Sequence, residues 1–278
     1  MRFWSMPKKL LYDPQKHPDS PMRVAGFMSG SGTNIRKILE KEQELKQQEG
    51  IAPYEMVFLF SDVADPSKCK IQEIANEYNL PYQINDIWEF YKARGEITKR
   101  DMNIRREYDE ITLGYLKEYD VDCVALGGYM SIVTEIIFEA IPTINVHPAD
   151  LSIIDETTGK RKFTGDDAVR DAILAGAFEI RASTHIATAA VDGGPLLLIS
   201  KPVKIKIPPK ISLEKLKTDQ NKELLKSLTE THQNKLKKIG DWVIFPLSLI
   251  YLAKGVISID DKGIVYIEGK PAPKGLRL

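Results

Sequence analysis

The chain is poor in cysteine: two residues, Cys69 and Cys123, among 278. Both fall near or inside expected regular elements, so no disulfide framework is expected and a reducing, cytoplasmic setting fits. Histidine is scarce as well, four in all, and together the histidines and cysteines show no metal-ligand spacing, so no metal is expected. No uncharged apolar run approaches the ~20 residues of a membrane span. Residues 1–21 mix Lys, Asp and Pro without a long apolar stretch, which argues against a secretory signal and for an N-terminal arm. An excess of one charge is missing too. The 39 basic residues balance 39 acidic ones, leaving no electrostatic footprint for nucleic acid or an anionic membrane. Internal repeats are absent. The expected partners are small molecules, and the sequence assigns no oligomeric state.

What is present is an alternation of strand and helix patterns. Strands are expected at 23–28, 55–60, 81–84, 123–126 and 143–147, then at 183–188 and 196–200. Helices are expected at 34–48, 67–78, 105–119, 166–175 and 242–253. Cys123-Val124-Ala125-Leu126 is nearly all apolar, as a strand covered on both faces should be. Repeated strand–helix units of this kind predict an α/β fold with a mostly parallel sheet flanked by helices. Residues 204–238 break the regularity with a lysine-rich amphipathic helix pattern through Leu213, Leu216, Leu224, Leu225 and Leu228. Interleaved Glu214, Asp219, Glu223 and Glu230 make that a solvated helix face rather than a basic docking surface. A hairpin turning at Asp260-Asp261-Lys262-Gly263 follows the last helix.

Two short segments carry candidate chemistry. Asn145-Val146-His147-Pro148 ends a strand, and alternation puts Asn145 and His147 on the same side. An amide beside an imidazole is equipment for stabilising an oxyanion while a proton moves. Val191-Asp192-Gly193-Gly194-Pro195 adds a carboxylate that could orient the imidazole and raise its pKa. Taken singly, His147 also reads as an ordinary loop residue and Asp192 as part of a plain turn. The third segment is Ser29-Gly30-Ser31-Gly32-Thr33-Asn34, after the first strand and opening the first helix. It is either a turn capped by Thr33 or Asn34, or a cradle for one phosphate. The glycine of a dinucleotide fingerprint is missing at Ile35, and no lysine follows for a triphosphate loop.

From about Met22 to Leu276 these segments, in this order, resemble the folate-dependent formyltransferases. The resemblance also covers Arg105-Arg106-Glu107-Tyr108-Asp109, the Ala125–Val133 stretch, and Trp242-Val243-Ile244-Phe245-Pro246-Leu247. Asn-x-His-Pro with a later Asp-Gly-Gly-Pro is specific for that superfamily, and the Ser-Gly-x-Gly-Thr-Asn start favours its phosphoribosyl branch. The resemblance implies a Rossmann-like domain over 22–278, with insertions near 153–161 and 204–238. It implies transfer of a formyl group from the cosubstrate 10-formyltetrahydrofolate to the primary amine of glycinamide ribonucleotide. Asn145 would bind the formyl oxygen, His147 manage protons, and Asp192 raise the pKa of His147. Gly32, Thr33 and Asn34 would hold the ribonucleotide phosphate. Lys238 to Asp241 would face the ribonucleotide, with Asp241 replacing the family's glutamate. Arg105, Met130, Ser131, Ile132, Val133, Asn145, Thr188 and Val191 would hold the folate. His185 matches a family histidine and reads either as core or as site.

The rim departs from the family pattern. Ser131 stands where arginine is frequent, Asp166 and Asp167 where histidine is usual, and Ile180-Arg181 where His-Gly is usual. Residues 153–161 are inserted just after the Asn145–His147 strand. These changes leave two alternatives open beside the main expectation. One is formyl transfer to a different amine, or hydrolysis of 10-formyltetrahydrofolate; a hydrolase would usually carry a regulatory domain that 21 residues cannot supply. The other is folate or nucleotide binding without turnover, which needs no complete Asn145, His147 and Asp192 set.

Overall fold

The computed structural model describes residues 9–209 and 211–278. Eight strands form the main sheet: β1 (Met22–Phe27), β2 (Tyr54–Ser61), β3 (Tyr82–Ile84), β4 (Cys123–Leu126), β5 (Thr143–His147), β6 (Ser183–Ile186), β7 (Leu196–Ile199) and β8 (Leu276–Arg277). Their spatial order is 8-7-6-5-4-1-2-3. Neighbours pair in parallel except at β6, which runs antiparallel to both β5 and β7. The expected α/β, mostly parallel architecture is therefore the observed one. The sheet separates two cores, and β4 shows how. Cys123 and Ala125 pack into the cluster that holds Ile144, Phe245 and Leu249, while Val124 and Leu126 face Phe27, Phe60 and Tyr108. Burying the aliphatic helix Trp242–Ala253 this deeply makes Leu249→Ala a loss of about 2–5 kcal/mol.

Local chemistry moved several expected boundaries. The second helix begins at Ile71 rather than residue 67, because Asp65 takes the preceding residues into a turn: its side chain accepts from Ser67 N at 2.9 Å. Short helices at Ile87–Lys92 and Glu135–Phe138 escape any periodicity reading, since each is too brief to show a face. The lysine-rich pattern over 204–238 is not one helix. Val203–Lys204 pairs with Glu179–Ile180, Leu213–Leu216 forms a single turn capped by Ser212, and Lys222–Leu236 follows. The helix pattern expected through Leu213 to Leu228 is broken at the 3-10 turn Asp219–Asn221, where Asn221 Nδ2 donates to the Lys215 carbonyl at 2.9 Å. Leu216, Leu225 and Leu236 enter the core, leaving the lysines outside. The hairpin lies at Ile257–Ile259 and Val265–Ile267, its turn tied by Asp260 to Lys262 N and Ile264 N. The expected arm over residues 1–21 is described only from Lys9, where Lys9–Leu10 adds a strand beside Ile257–Ile259. No helix among the described residues is long and apolar enough to cross a membrane.

Candidate active site

A cleft of about 410 Å³ opens at the carboxyl ends of β1, β4 and β5. β5 delivers Asn145 and His147 to one face of the sheet, and the antiparallel β6 sets His185 directly opposite Asn145. The chain after β6 then folds back over that face. Gly194 permits this return: a Cβ there would lie 1.8 Å from the carbonyl oxygen of Ile186. Asp192, with φ +53°, is turned inward, and one carboxylate oxygen, Oδ1, faces two imidazoles. It lies 3.5 Å from His147 Nδ1 and 3.5 Å from His185 Nε2. Gly165 N donates to the other oxygen at 2.8 Å. Asn145, His147 and Asp192, expected from two distant segments, are thus brought together, and His185 proves to be both buried and part of the cluster.

The hydrogen bonds assign the protons. His147 Nε2 is 2.7 Å from the carbonyl of Phe163, so that nitrogen carries hydrogen and Nδ1 faces the carboxylate. Asn145 Nδ2 donates to His185 Nε2 at 3.2 Å, while His185 Nδ1 donates to Ile186 O at 3.1 Å. An amide nitrogen has two N–H bonds, so Asn145 has a second to aim into the cleft. Burial pushes the His147 pKa below its ordinary 6.5, against the pull of Asp192 and of the Phe163 carbonyl. Asp192 does pull the pKa of His147 upward, as expected, but desolvation outweighs the carboxylate. Asp192 itself is lowered to about 2, because the two neighbouring imidazoles, His185 and His147, and the N–H of Gly165 together overcome its burial.

One end of the cleft is a helix N-terminus. The helix Thr33–Glu49 starts at Gly32, and neither Thr33 nor Asn34 caps it, so its first N–H groups are presented to the cleft. Gly32 has φ +64°, and a Cβ there would lie 2.4 Å from Ile74 Cδ1. Asp241 lines the same end, buried, and its Oδ1, like Asn34 Oδ1, has no hydrogen-bond partner among the described residues. Burial raises Asp241 to about 6 despite nearby Lys237. Lys238, expected to face a ligand, points to solvent instead; Gln233 and Lys237 line the cleft. The reason is the helical run around the π-turn Lys237–Asp241, which puts residues 233, 237 and 241 on one side. Their spacing of four was the signal available in the sequence.

The other end is apolar. Met130 is 61% exposed, Ile132 49% and Val191 60%, side chains of a size normally hidden, all in the cleft wall with Ser131, Val133 and Thr188. Ser131 hydrogen-bonds Asp62, whose other oxygen accepts from Ser29 Oγ at 2.5 Å. Ser29 Oγ in turn accepts from Met130 N at 2.8 Å, so the two loops are locked together. Asp62 did not stand out in the sequence, and Ser29 did only as the start of the Gly/Ser segment. Arg105 does not line the main cleft. It is buried against Asp109 at 3.2 Å and Tyr129 Oη at 3.1 Å, in the wall of an adjoining cavity of about 170 Å³ that shares Met130, Ser131 and Ile132.

Known proteins resemble this chain in sequence and in fold. The chain is 23% identical over 254 residues to phosphoribosylglycinamide formyltransferase of Haemophilus influenzae, covering 91% of this chain and 96% of that protein. It is 27% identical over 171 residues to formyltetrahydrofolate deformylase of Bacillus subtilis, 60% of this chain and 47% of that one. Its fold matches the solved phosphoribosylglycinamide formyltransferase of Coxiella burnetii with a TM-score of 0.67 at 22% identity, covering 93% of this chain and 100% of the other. The formyl transferase family description matches residues 22–229, most of the chain, and the protein belongs to that family.

Proposed function

We propose that this protein transfers the formyl group of 10-formyltetrahydrofolate to the primary amine of glycinamide ribonucleotide, a step of purine synthesis in the cytoplasm. The observation that carries the reading is one cleft holding Asn145, His147 and Asp192 together with an uncapped helix N-terminus and an apolar wall. Residues 22–278 work as one domain and 1–21 as its arm. The N–H groups at Gly32, Thr33 and Asn34 take the phosphate, and Asp241 accepts hydrogen bonds from the ribonucleotide. Met130, Ile132 and Val191 cover the flat rings of the folate. The backbone of Ser131 and Val133, with Thr188, lines its path, and Arg105 adds positive charge beyond that wall.

When bound, 10-formyltetrahydrofolate supplies an activated N-formyl group. Asn145 directs its second N–H to the formyl oxygen as negative charge develops there. His147 takes the proton the attacking amine must lose, at Nδ1 because Nε2–H is held by Phe163 O. It returns that proton to the folate nitrogen as the bond from that nitrogen to the formyl carbon breaks, which releases tetrahydrofolate and leaves the imidazole neutral. Asp192, ionised at any ordinary pH, stabilises the imidazolium that results. The Thr188–Asp192 loop covers the pair and keeps water away, as the near-complete burial of His147 and Asp192 requires.

The similarity to a deformylase supports a second reading, in which water replaces the amine. Purified protein incubated with 10-formyltetrahydrofolate separates the two. Formyl consumption that depends on glycinamide ribonucleotide is expected; equal consumption without any amine would select hydrolysis, and binding without consumption would remove both.

A further inference from the structure

The stretch 153–161, inserted after β5, folds as a small hairpin. Ile154 and Arg161 bridge antiparallel, Asp155 N donates to Lys160 O at 2.7 Å, and Lys162 N donates to Ile153 O at 2.9 Å. The turn is closed by Asp155 Oδ1, which accepts from Thr157 N and Thr158 N at 3.0 Å each. At the hairpin's end Arg161 reaches across to the β6–β7 loop, where its Nη1 donates to the Asp192 carbonyl at 2.6 Å. The residues that follow make two more contacts to the same centre: Phe163 O to His147 Nε2 at 2.7 Å, and Gly165 N to Asp192 Oδ2 at 2.8 Å. Phe163 holds φ +57°, a left-handed conformation costly for a bulky side chain, so this segment is shaped against its local preference.

We propose that the inserted hairpin is a positioning device, with Arg161 fixing the backbone of Asp192 so that its carboxylate stays against His147 and His185. This rests on the reading of those residues as the formyl-transfer centre. The loop's own bonds are local: Gly193 N to Ala190 O at 2.9 Å and Thr188 Oγ1 to Ala190 O at 3.4 Å. Neither stops the loop tip from swinging. Arg161 and Gly165 hold Asp192 at two points, its carbonyl and its carboxylate, and two points define an orientation where one leaves a pivot. Arginine suits the task because its planar fork loses little freedom per bond formed and keeps its charge when half-buried.

The test compares Arg161→Ala with Lys160→Ala, which removes an exposed neighbouring cation. For Arg161→Ala, kcat is expected to fall ~10- to 100-fold with both KM values nearly unchanged, and added methylguanidine to restore part of it. Lys160→Ala should match the parent enzyme. The titration of His147, followed by NMR, reads position separately from charge. Losing a cation alone moves it to higher pH; losing the Asp192 carboxylate, the largest upward influence on His147, moves it to lower pH. A downward shift is expected. An upward or absent shift, or kcat within ~2-fold of the parent in folded Arg161→Ala, overturns the proposal. If that variant does not fold, Arg161→Lys carries the test. It keeps the charge but loses the fork, so a reduced kcat and the same downward shift are required. Absence of formyl transfer by the parent enzyme would sink the functional reading instead, and the His147 titration would still decide the role of Arg161.

Discussion

Asp192 and Asp241 are both buried carboxyl groups in the wall of one cleft, and their environments push them in opposite directions. Asp192 is lowered to about 2 and Asp241 raised to about 6. Burial pushes both upward, and harder at the more deeply buried Asp241. Partners then decide the sign. Asp192 meets two imidazoles and a backbone N–H, whereas Asp241 has an oxygen that nothing among the described residues satisfies. The first carboxylate is spent on ordering its own protein. The second is left short of donors, beside an equally unpartnered Asn34 oxygen, and a substrate rich in hydroxyl or N–H groups is what would complete it.

The contrast is broken most severely at Asp192. Asp192→Asn keeps the shape but removes the charge that supports an imidazolium, and kcat is expected to fall ~10²- to 10⁴-fold. His147→Ala should fall in the same range, and the double variant little further, because the pair acts as a unit. Steady-state rates with saturating substrates check this; additive losses, or near-parental activity in either single variant, would separate the two residues. Asp192→Asn should also lose stability. A carboxyl lowered from 3.8 to about 2 contributes roughly 2 kcal/mol above pH 4, lost as pH falls through 2.

At Asp241 the same change is expected to act on binding alone. Asp241→Asn should raise KM for the ribonucleotide about 10-fold, the scale of a hydrogen bond to a charged group, with kcat and the folate KM close to the parent values. In the parent enzyme, ribonucleotide affinity should weaken as pH falls below about 6 and Asp241 takes up a proton. The variant should lack that limb. A drop in kcat with unchanged KM would place Asp241 in the chemistry and erase the distinction between the two acids.

How far each acid was legible in the sequence follows from the same contrast. Asp192 sits in Asp-Gly-Gly-Pro, where the glycines and proline advertise a forced turn, and Asn145 and His147 share a face through strand alternation alone. The parallel sheet was visible for a similar reason: its strands are short apolar runs set between helical periods. Asp241 carried no such local mark. Its direction depends on a π-turn, which shifted the lining residues from Lys238 to Gln233 and Lys237. Asp62 was invisible, and the contacts of Ser29 and Arg161 unreadable, because Ser29 and Asp62 lie 33 residues apart and Arg161 and Asp192 31. The upward pull of Asp192 on His147 was legible because a sequence shows the neighbouring charge, whereas the burial that outweighs it was not.

The smallest expected effect is also the one that separates the two acids by sign. Asp241 binds its proton more tightly in the folded chain than unfolded, about 6 against 3.8, so its ionisation costs stability above pH 6. That cost shrinks as pH falls from 6 toward 4 and vanishes below, where both states are protonated. Asp241→Asn, which cannot ionise, should therefore be more stable than the parent at pH 8 by about 1–2 kcal/mol. This is less than the full shift because the Asn34 contact weakens. The gain should fade to nothing near pH 4. Urea unfolding of both proteins at pH 8, 6 and 4 reads this directly. Asp192→Asn should show the reverse, a loss at pH 8 that persists at pH 4. Equal signs at the two positions would mean that Asp241 has a partner when folded, and the acid reserved for a ligand would then have to be sought elsewhere in the cleft.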